Sequence, residues 1–283
     1  MIARYAGGER GARSAARAGS VVVVVDAFRA STTIAVLVSM GARVLPVASV
    51  EEAASAETDL RIGERGSAKV AGFDFGNSPT EILGSDIPPD STVALSTTNG
   101  TRIVEAATGA RAILAGAFVN AGVLADYLSE EANNDTEVAV VGCGWEGRRA
   151  SEDEAAAGAI LYRLRCRGAE LDGRAARVVG HYLSRPVRVL HDNSAARRLK
   201  RLGYGLDVEF CLVEDSVPVV PRLLGEAFVG RAMDRGHPTN LRSEDQHEKP
   251  KFVLDKGMKR DYSGVSEGGS NVTRSAESAA GRR

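Results

Sequence analysis

The chain has 283 residues, 43% of them hydrophobic and 26% charged, which is the balance of a globular protein with a core large enough to enclose a site. Its net charge of -1, from 36 basic and 37 acidic residues, excludes the basic surface that nucleic acids or anionic membranes require. No apolar stretch approaches the ~20 residues of a membrane span, so we predict a cytoplasmic protein with a small-molecule substrate.

The two ends differ in composition from the centre. Residues 1–19 place several arginines among small residues, which predicts an N-terminal arm, either a ragged strand or a tail, in preference to an organellar transit peptide. Serine, glycine and charged residues dominate from 234 to 283, which predicts a disordered polar tail. The α/β domain is therefore expected to span residues 20–233.

Strands and helices alternate through this domain. Five consecutive valines precede Asp26, and such a run is typical of a strand covered on both faces, as in a parallel sheet. The predicted elements are strand 20–26, helix 31–41, strand 43–48, helix 50–57, strand 60–64, a glycine-rich loop over 66–89, strand 92–97, a helix from 101, strand 111–115, helix 119–131, strand 136–142, helix 152–168, helices 175–183 and 194–202, and closing strands 208–213 and 217–220. This alternation predicts a three-layer α/β/α fold with a largely parallel or mixed sheet.

Polar residues follow the first strand directly. Asp26 ends it, and Arg29 and the hydroxyls of Ser31, Thr32 and Thr33 come next. Open α/β sheets bind ligands just beyond the carboxyl ends of their strands. A carboxylate there suits a metal or a proton transfer, and a guanidinium suits a phosphate. Ser31 alone would equally serve as a helix cap.

Three further turns have the same character. They are Gly63-Glu64-Arg65-Gly66 with the loop 72–79, the hydroxyl-rich turn 96–101, and the turn 143–149 followed by the acidic positions 152–154. Ordinary turn and capping chemistry would explain each turn taken alone. The turn 96–101 lacks the P-loop pattern, so nucleoside triphosphate binding is not predicted. The four turns contain no histidine, which argues against zinc. Together they describe a site for a phosphorylated anion assisted by Mg²⁺.

Five ordered motifs resemble those of the 2-phosphosulfolactate phosphatase family. They are Asp26-x-x-Arg29-Ala30-Ser31-Thr32-Thr33, Gly63-Glu64-Arg65-Gly66, Gly72-Phe73-Asp74-x-Gly76-Asn77-Ser78-Pro79, Thr97-Thr98-Asn99-Gly100-Thr101, and Gly144-x-Glu146-Gly147-Arg148 with Glu152-Asp153. The resemblance spans about residues 20–220. It implies a Mg²⁺-dependent phosphatase that hydrolyses (2R)-O-phospho-3-sulfolactate to (2R)-3-sulfolactate and phosphate, a step in coenzyme M or sulfolactate synthesis.

The site residues are assigned on this basis. Catalytic roles are expected for Asp26, Arg29, Glu64 and Glu146, and metal ligation for Asp26, Glu64, Glu146 and Asp153. Substrate binding is expected of Ser31, Thr32, Arg65, Asn77, Ser78, Thr97, Thr98, Asn99, Gly100 and Arg148. In this hypothesis Mg²⁺ and Arg29 hold the phosphoryl oxygens, Thr98 and Asn99 complete the cradle, and a water oriented by a carboxylate attacks in line. Whether the protein is a homo-oligomer stays open.

Alternatives remain at this stage, two of them enzymatic. Cys143 and Arg149 match the C-x5-R spacing of cysteine-dependent phosphatases, in which a thiolate is the nucleophile. An aspartyl-phosphate mechanism at Asp26 would lack the usual D-x-D pattern, because position 28 is Phe. The other alternative is a module that binds small anions without turnover, although its acidic residues would repel an anion in the absence of a metal.

Overall fold

The computed structural model of the protein describes residues 1–131 and 135–231. Within these residues eleven strands form one mixed sheet, which confirms the predicted α/β fold. In chain order the strands are β1 (Ile2–Gly7), β2 (Val21–Val25), β3 (Arg43–Pro46), β4 (Leu60–Arg65), β5 (Ala68–Lys69), β6 (Thr92–Ser96), β7 (Ala112–Gly116), β8 (Glu137–Gly142), β9 (Glu170–Leu171), β10 (Val220–Leu224) and β11 (Ala227–Arg231).

The sheet consists of two blocks of parallel strands, which run in opposite directions and are joined by an antiparallel hairpin. The spatial order is β5-β4-β6-β3-β11-β10-β7-β2-β8-β1-β9. β4, β6 and β3 are parallel to one another, as are β7, β2, β8 and β1. The antiparallel hairpin β10–β11 lies between the blocks and pairs with β7 on one side and β3 on the other. The carboxyl end of β2 lies beside those of β7 and β8, where Val25 is opposite Gly116 and Gly142.

Helices cover the sheet. In chain order they are α1 (Gly8–Arg17), α2 (Ala30–Ser39), α3 (Val50–Ser55), α4 (Pro79–Leu83), α5 (Gly100–Ala106), α6 (Ala121–Glu131), α7 (Ser151–Cys166), α8 (Gly173–Ser184), α9 (Ser194–Arg201) and α10 (Gly205–Cys211), with 3₁₀ turns at Phe118–Asn120 and Val187–Asp192. Val23 and Val25 share a hydrophobic cluster with α6, α7 and α8. Successive strand residues point to opposite faces, so Val22 and Val24 face the other layer, where α1 and α5 contact β2.

Helix α2 is apolar on every side, and the fold encloses it. Its residues from Ala30 to Val38 are all buried, and it contacts β3, β7, β10 and β11. A helix that is hydrophobic all round needs such an enclosed position, because it has no polar face to turn to water. The turn that carries Asp26 is therefore fixed between a central strand and a central helix.

Three parts of the chain differ from the sequence-based expectation. Residues 1–19, expected as an arm, form β1 and α1, and β1 is hydrogen-bonded between β8 and β9. The loop 66–89 contains β5 and α4, which begins where Ser78 Oγ accepts a hydrogen bond from Glu81 N at 3.3 Å. The predicted strand 208–213 is wrong, because this segment lies largely in helix α10. There the pattern has a helical period: Val208 and Cys211 are buried and Glu209 is exposed.

The remaining differences are small. The closing strand predicted at 217–220 begins at Val220 as β10 and is followed by β11. No helix among the described residues is both long and apolar enough to cross a membrane. The polar tail predicted for 234–283 lies outside the described residues.

Candidate active site

The charged side chains that the structure buries are concentrated at one place. In the described part of the chain six charged residues are buried: Asp26, Arg29, Glu64, Glu152, Asp153 and Asp207. Ion pairing or electrostatic coupling links each of them to at least one of the others. Burying a charge is costly unless it has a partner. A group of five acids and one arginine, at the carboxyl ends of parallel strands, is therefore a candidate active site.

Asp26 lies at the centre of this group, immediately after β2. Its Oδ1 accepts a hydrogen bond from Ala30 N at 3.2 Å, and among the described residues no hydrogen bond ends on Oδ2. Burial, reinforced by the charge of Glu64, raises the pKa of Asp26 to about 7, even though Arg29 lowers it in part. The carboxyl group can therefore gain or lose a proton near neutral pH.

The hydroxyls of Ser31 and Thr32 hold the Asp26 turn. Ser31 Oγ donates to Val24 O at 3.0 Å and accepts from Asp26 N at 2.9 Å. Thr32 Oγ1 donates to Ala27 O at 3.2 Å. Both side chains were predicted to bind substrate, but the structure gives them backbone partners on their own turn.

Arg29 is bound within the protein. Its Nη1 donates to Asp207 Oδ2 at 2.6 Å and its Nη2 to Ser67 O at 2.9 Å, and its guanidinium lies 4.2 Å from the ring centroid of Tyr204. Asp207 Oδ1 in turn accepts from Ser78 Oγ at 2.9 Å. Arg29 is thus neutralised by Asp207, and Ser78, a predicted substrate ligand, contributes to that pair.

Glu64 connects the ends of β4 and β6. Its Oε1 accepts from Thr98 N at 2.7 Å, and its Oε2 accepts from Ser67 N at 2.6 Å. The neighbouring Arg65 donates through Nη2 to Ser96 Oγ at 2.9 Å, so its guanidinium is also anchored to the end of β6. The second and third predicted turns therefore do meet.

Gly100 allows the third turn to approach Asp26. A Cβ at this position would lie 3.4 Å from Asp26 Oδ2, 3.2 Å from Thr97 Oγ1 and 3.0 Å from the Cβ of Ala30. The structure thus brings Thr97 and Asp26 together across a residue that has no side chain. Three buried polar atoms at the predicted substrate-binding positions lack a hydrogen-bond partner: Thr97 Oγ1, Thr98 Oγ1 and Asn77 Oδ1. Buried polar atoms of native proteins are nearly always paired, so these three are available to a ligand.

Asp153 joins the same group from α7. Its Oδ1 accepts from Ala27 N at 2.9 Å and its Oδ2 from Gly144 N at 2.8 Å. Burial, followed by the charges of Asp26 and Glu152, raises the pKa of Asp153 well above its usual range. Burial also raises the pKa of Glu152, whose Oε2 accepts from Asn193 Nδ2 at 2.8 Å.

The exposed turn before α7 carries the remaining predicted residues. Glu146 is exposed, and it contacts Asn99 through its backbone: Glu146 N donates to Asn99 Oδ1 at 3.4 Å. Arg148 is exposed and lines a cavity of about 150 Å³ together with Cys143 and Asp153. A larger cavity of about 650 Å³ lies beside β1 and α1, and none of the buried charged residues lines it.

The site could hold Mg²⁺ through few protein ligands. Among the described residues no three His, Cys, Asp or Glu side chains form a group arranged to hold a metal ion. Both carboxyl oxygens of Glu64 and of Asp153 accept backbone hydrogen bonds. Mg²⁺, however, is usually held by one or two carboxylates, several waters and substrate phosphate oxygens. Asp26, with its free Oδ2 in an acidic surrounding, meets that requirement.

The geometry disfavours the cysteine alternative. Cys143 is buried, and burial, followed by the charges of Asp26 and Asp153, raises the pKa of its thiol well above the usual range. A nucleophilic cysteine needs the opposite shift. Arg149 is exposed and forms a bidentate ion pair with Glu154, in which Nη2 lies 2.8 Å from Oε2.

Sequence reasoning missed three residues of this site. Asp207 immediately precedes the wrongly predicted strand 208–213, and nothing local to it indicates an arginine partner 178 positions away. Ser67 has a left-handed backbone with φ of 74°, which its position in a glycine-rich turn hints at. Arg198 donates through Nε to Ser67 Oγ at 3.0 Å, and it lies in a predicted helix without a motif.

The fold and the buried acidic group at the strand ends define an α/β protein with an enzyme-like site. The 2-phosphosulpholactate phosphatase family profile matches residues 9–226 of the chain. Three similar proteins, each named "Probable 2-phosphosulfolactate phosphatase", come from Carboxydothermus hydrogenoformans (38% identity over 209 residues, 71% of this chain and 84% of that protein), Thermotoga petrophila (36% over 211 residues, 73% and 90%) and Thermosynechococcus vestitus (34% over 215 residues, 70% and 87%). The chain belongs to the 2-phosphosulfolactate phosphatase family and is a phosphoric monoester hydrolase.

Proposed function

We propose that this protein is a Mg²⁺-dependent phosphatase that hydrolyses (2R)-O-phospho-3-sulfolactate to (2R)-3-sulfolactate and phosphate. The names of the relatives support the substrate. The observation that carries the rest is the uncompensated acidic group around Asp26. With this activity the protein would serve sulfolactate or coenzyme M synthesis in the cytoplasm.

The need for a cation follows from the charges. Asp207 neutralises Arg29, so the buried carboxyl groups of Asp26, Glu64, Glu152 and Asp153 would repel an anionic substrate. Mg²⁺ would be held by Asp26, with Glu64 and Asp153 beside it. When bound, the ion supplies neutralisation of charge on the phosphoryl oxygens. Ligation by Glu146 stays a prediction that its exposed position does not support.

The remaining roles belong to side chains that have unused polar atoms. The hydroxyls of Thr97 and Thr98 and the amide of Asn77 would bind substrate oxygens, since each has a buried atom without a partner. Asp26 would also orient the attacking water; the raised pKa of its carboxyl applies to the metal-free site, and a bound cation would favour the ionised form. Gly100 would leave room for the phosphoryl group between Asp26 and Thr97.

Phosphate release is the direct test. Racemic phosphosulfolactate, phospholactate and phosphoglycolate are each incubated with the protein in Mg²⁺, in EDTA, and after thiol alkylation. We expect release that requires Mg²⁺, survives alkylation and favours phosphosulfolactate. Asp26→Asn should remove this activity, and Glu51→Gln, which changes an exposed acid on α3, should not. Release that persists in EDTA would refute the metal requirement, and no release from any ester would refute the function.

A further inference from the structure

Arg198 is held in place by two contacts at the edge of the candidate site. Its Nε donates to Ser67 Oγ at 3.0 Å, and its guanidinium carbon lies 3.7 Å from the centroid of the Trp145 ring. The side chain is half-buried. A guanidinium that is stacked on an aromatic face and fixed through Nε has lost little freedom to bind a further group.

Arg198 also adjoins residues of the candidate site through its hydrogen bond to Ser67. Ser67 links it to two more site residues, because Ser67 N donates to Glu64 and Ser67 O accepts from Arg29. The residue therefore adjoins the site without belonging to any of the four predicted turns.

Three other arginines near the site have protein partners: Asp207 binds Arg29, Ser96 binds Arg65, and Glu154 binds Arg149. Arg148 lines the cavity beside Asp153 but is exposed, so no contact with another described residue fixes its guanidinium as Ser67 and Trp145 fix that of Arg198. For Arg198, no hydrogen bond from either terminal nitrogen to another described residue is present. The Nη1–Nη2 edge of its guanidinium is therefore free to bind two oxygens of one anionic group.

We propose that Arg198, stacked on Trp145, binds the sulfonate of the substrate and so determines specificity. This proposal rests on the proposed function. In the proposed function the reacting phosphate lies beside Asp26 and Gly100, whereas Arg198 contacts Ser67 and Trp145, outside the turn that carries Asp26, so we assign it to a group at the other end of a three-carbon substrate. A sulfonate keeps a full negative charge at every working pH, and a fixed guanidinium edge matches two of its oxygens.

The experiment compares three esters with the wild type and Arg198→Met. Phosphosulfolactate carries carboxylate and sulfonate, phospholactate carries only the carboxylate, and 2-sulfoethyl phosphate carries only the sulfonate. Loss of one charge-assisted bidentate contact should lower kcat/KM for the two sulfonates by about 10- to 100-fold, mainly through KM. The value for phospholactate should change by less than about threefold. Arg201→Met, on an exposed position of the same helix, is the matched control.

Other outcomes would overturn the proposal. An equal fall for phospholactate would assign Arg198 to the carboxylate. A fall in kcat for all three esters would make it a positioning residue that acts through Ser67 and Glu64. Arg198→Lys, which keeps the charge without the bidentate edge, should recover only part of the affinity for sulfonates.

Product binding keeps this proposal separate from the proposed function. Calorimetric titration with 3-sulfolactate and with lactate requires no turnover. Wild-type protein should bind 3-sulfolactate more tightly than lactate, and Arg198→Met should remove the difference while the melting temperature stays unchanged. If the wild type hydrolyses none of the esters but binds 3-sulfolactate more tightly than lactate, the proposed function fails and the sulfonate site stands. If it hydrolyses phosphosulfolactate but binds the two products equally, the sulfonate site fails.

Discussion

Replacing Asp26 with Asn should stabilise the protein above neutral pH in the absence of divalent cations, even as it removes the activity. Asp26 has its pKa raised from 3.8 to about 7 by burial and by Glu64. The unfolded chain then releases this proton above about pH 4, whereas the folded protein keeps it until about pH 7. Ionisation of Asp26 therefore costs stability progressively as the pH rises through this window, and the full cost persists above it.

The size of the effect follows from the shift. A pKa that moves from 3.8 to about 7 corresponds to a cost of about 4 kcal/mol above pH 7 and about 2 kcal/mol at pH 5. Asn keeps an oxygen for the hydrogen bond from Ala30 N, so the turn retains its acceptor. The variant also removes a charge that raises the pKa of Asp153, which adds to the gain at high pH.

Urea denaturation in EDTA at pH 5 and pH 8 measures this difference. Asp26→Asn should gain on the order of 2–3 kcal/mol more at pH 8 than at pH 5, and Glu51→Gln should gain nothing at either pH. Mg²⁺ should raise the melting temperature of the wild type at pH 8 and leave that of the variant unchanged. Equal destabilisation of Asp26→Asn at both pH values would refute the reasoning, since it would mean that the carboxylate is already compensated in the folded protein.

Three further substitutions test other parts of the site. Asp207→Asn removes the partner of the buried Arg29 and should lower the free energy of unfolding by about 3–5 kcal/mol; an unchanged urea midpoint would contradict this pairing. Gly100→Ala should lower kcat/KM by about 100-fold, because its Cβ would crowd Asp26 and Thr97 and small displacements of reacting groups are costly. The control Gly173→Ala, with nothing within 4 Å of its added Cβ, should match the wild type in phosphate release. Cys143→Ala should keep the wild-type kcat, because the buried thiol stays protonated; loss of turnover with a normal melting curve would make Cys143 the nucleophile.

The meeting of the β4 and β6 ends was predictable, because neighbouring parallel strands bring their carboxyl ends to one edge of a sheet, and Glu64 does contact Thr98. The approach of Asp26 was not, because β2 belongs to the other block, which runs in the opposite direction across the antiparallel β10–β11 hairpin. The close approach at Gly100 nevertheless joins Asp26 to Thr97. What the pattern could not show is the direction of each side chain. The hydroxyl of Ser31 looks the same in sequence whether it meets a ligand or, as here, Val24 O.

The role of Arg29 was beyond sequence reasoning for a different reason. Its partner Asp207 lies 178 residues later, in a segment whose alternation of apolar and polar residues fits a strand as well as a helix. Only the tertiary fold brings α10 onto the end of α2. An arginine next to a catalytic aspartate in sequence is naturally expected to neutralise the phosphate, but its charge is already taken by Asp207.

The pairing of Arg29 with Asp207 explains why the Asp26 site stays acidic. If Arg29 were free, it would hold the pKa of Asp26 low and compete with any cation for the carboxylate. With Asp207 as its counterion, Arg29 instead fixes Ser67 O at 2.9 Å. Ser67 then presents its N–H to Glu64 and its hydroxyl to Arg198. One buried ion pair therefore both preserves the negative charge that a divalent cation needs and aligns the arginine that we assign to the sulfonate.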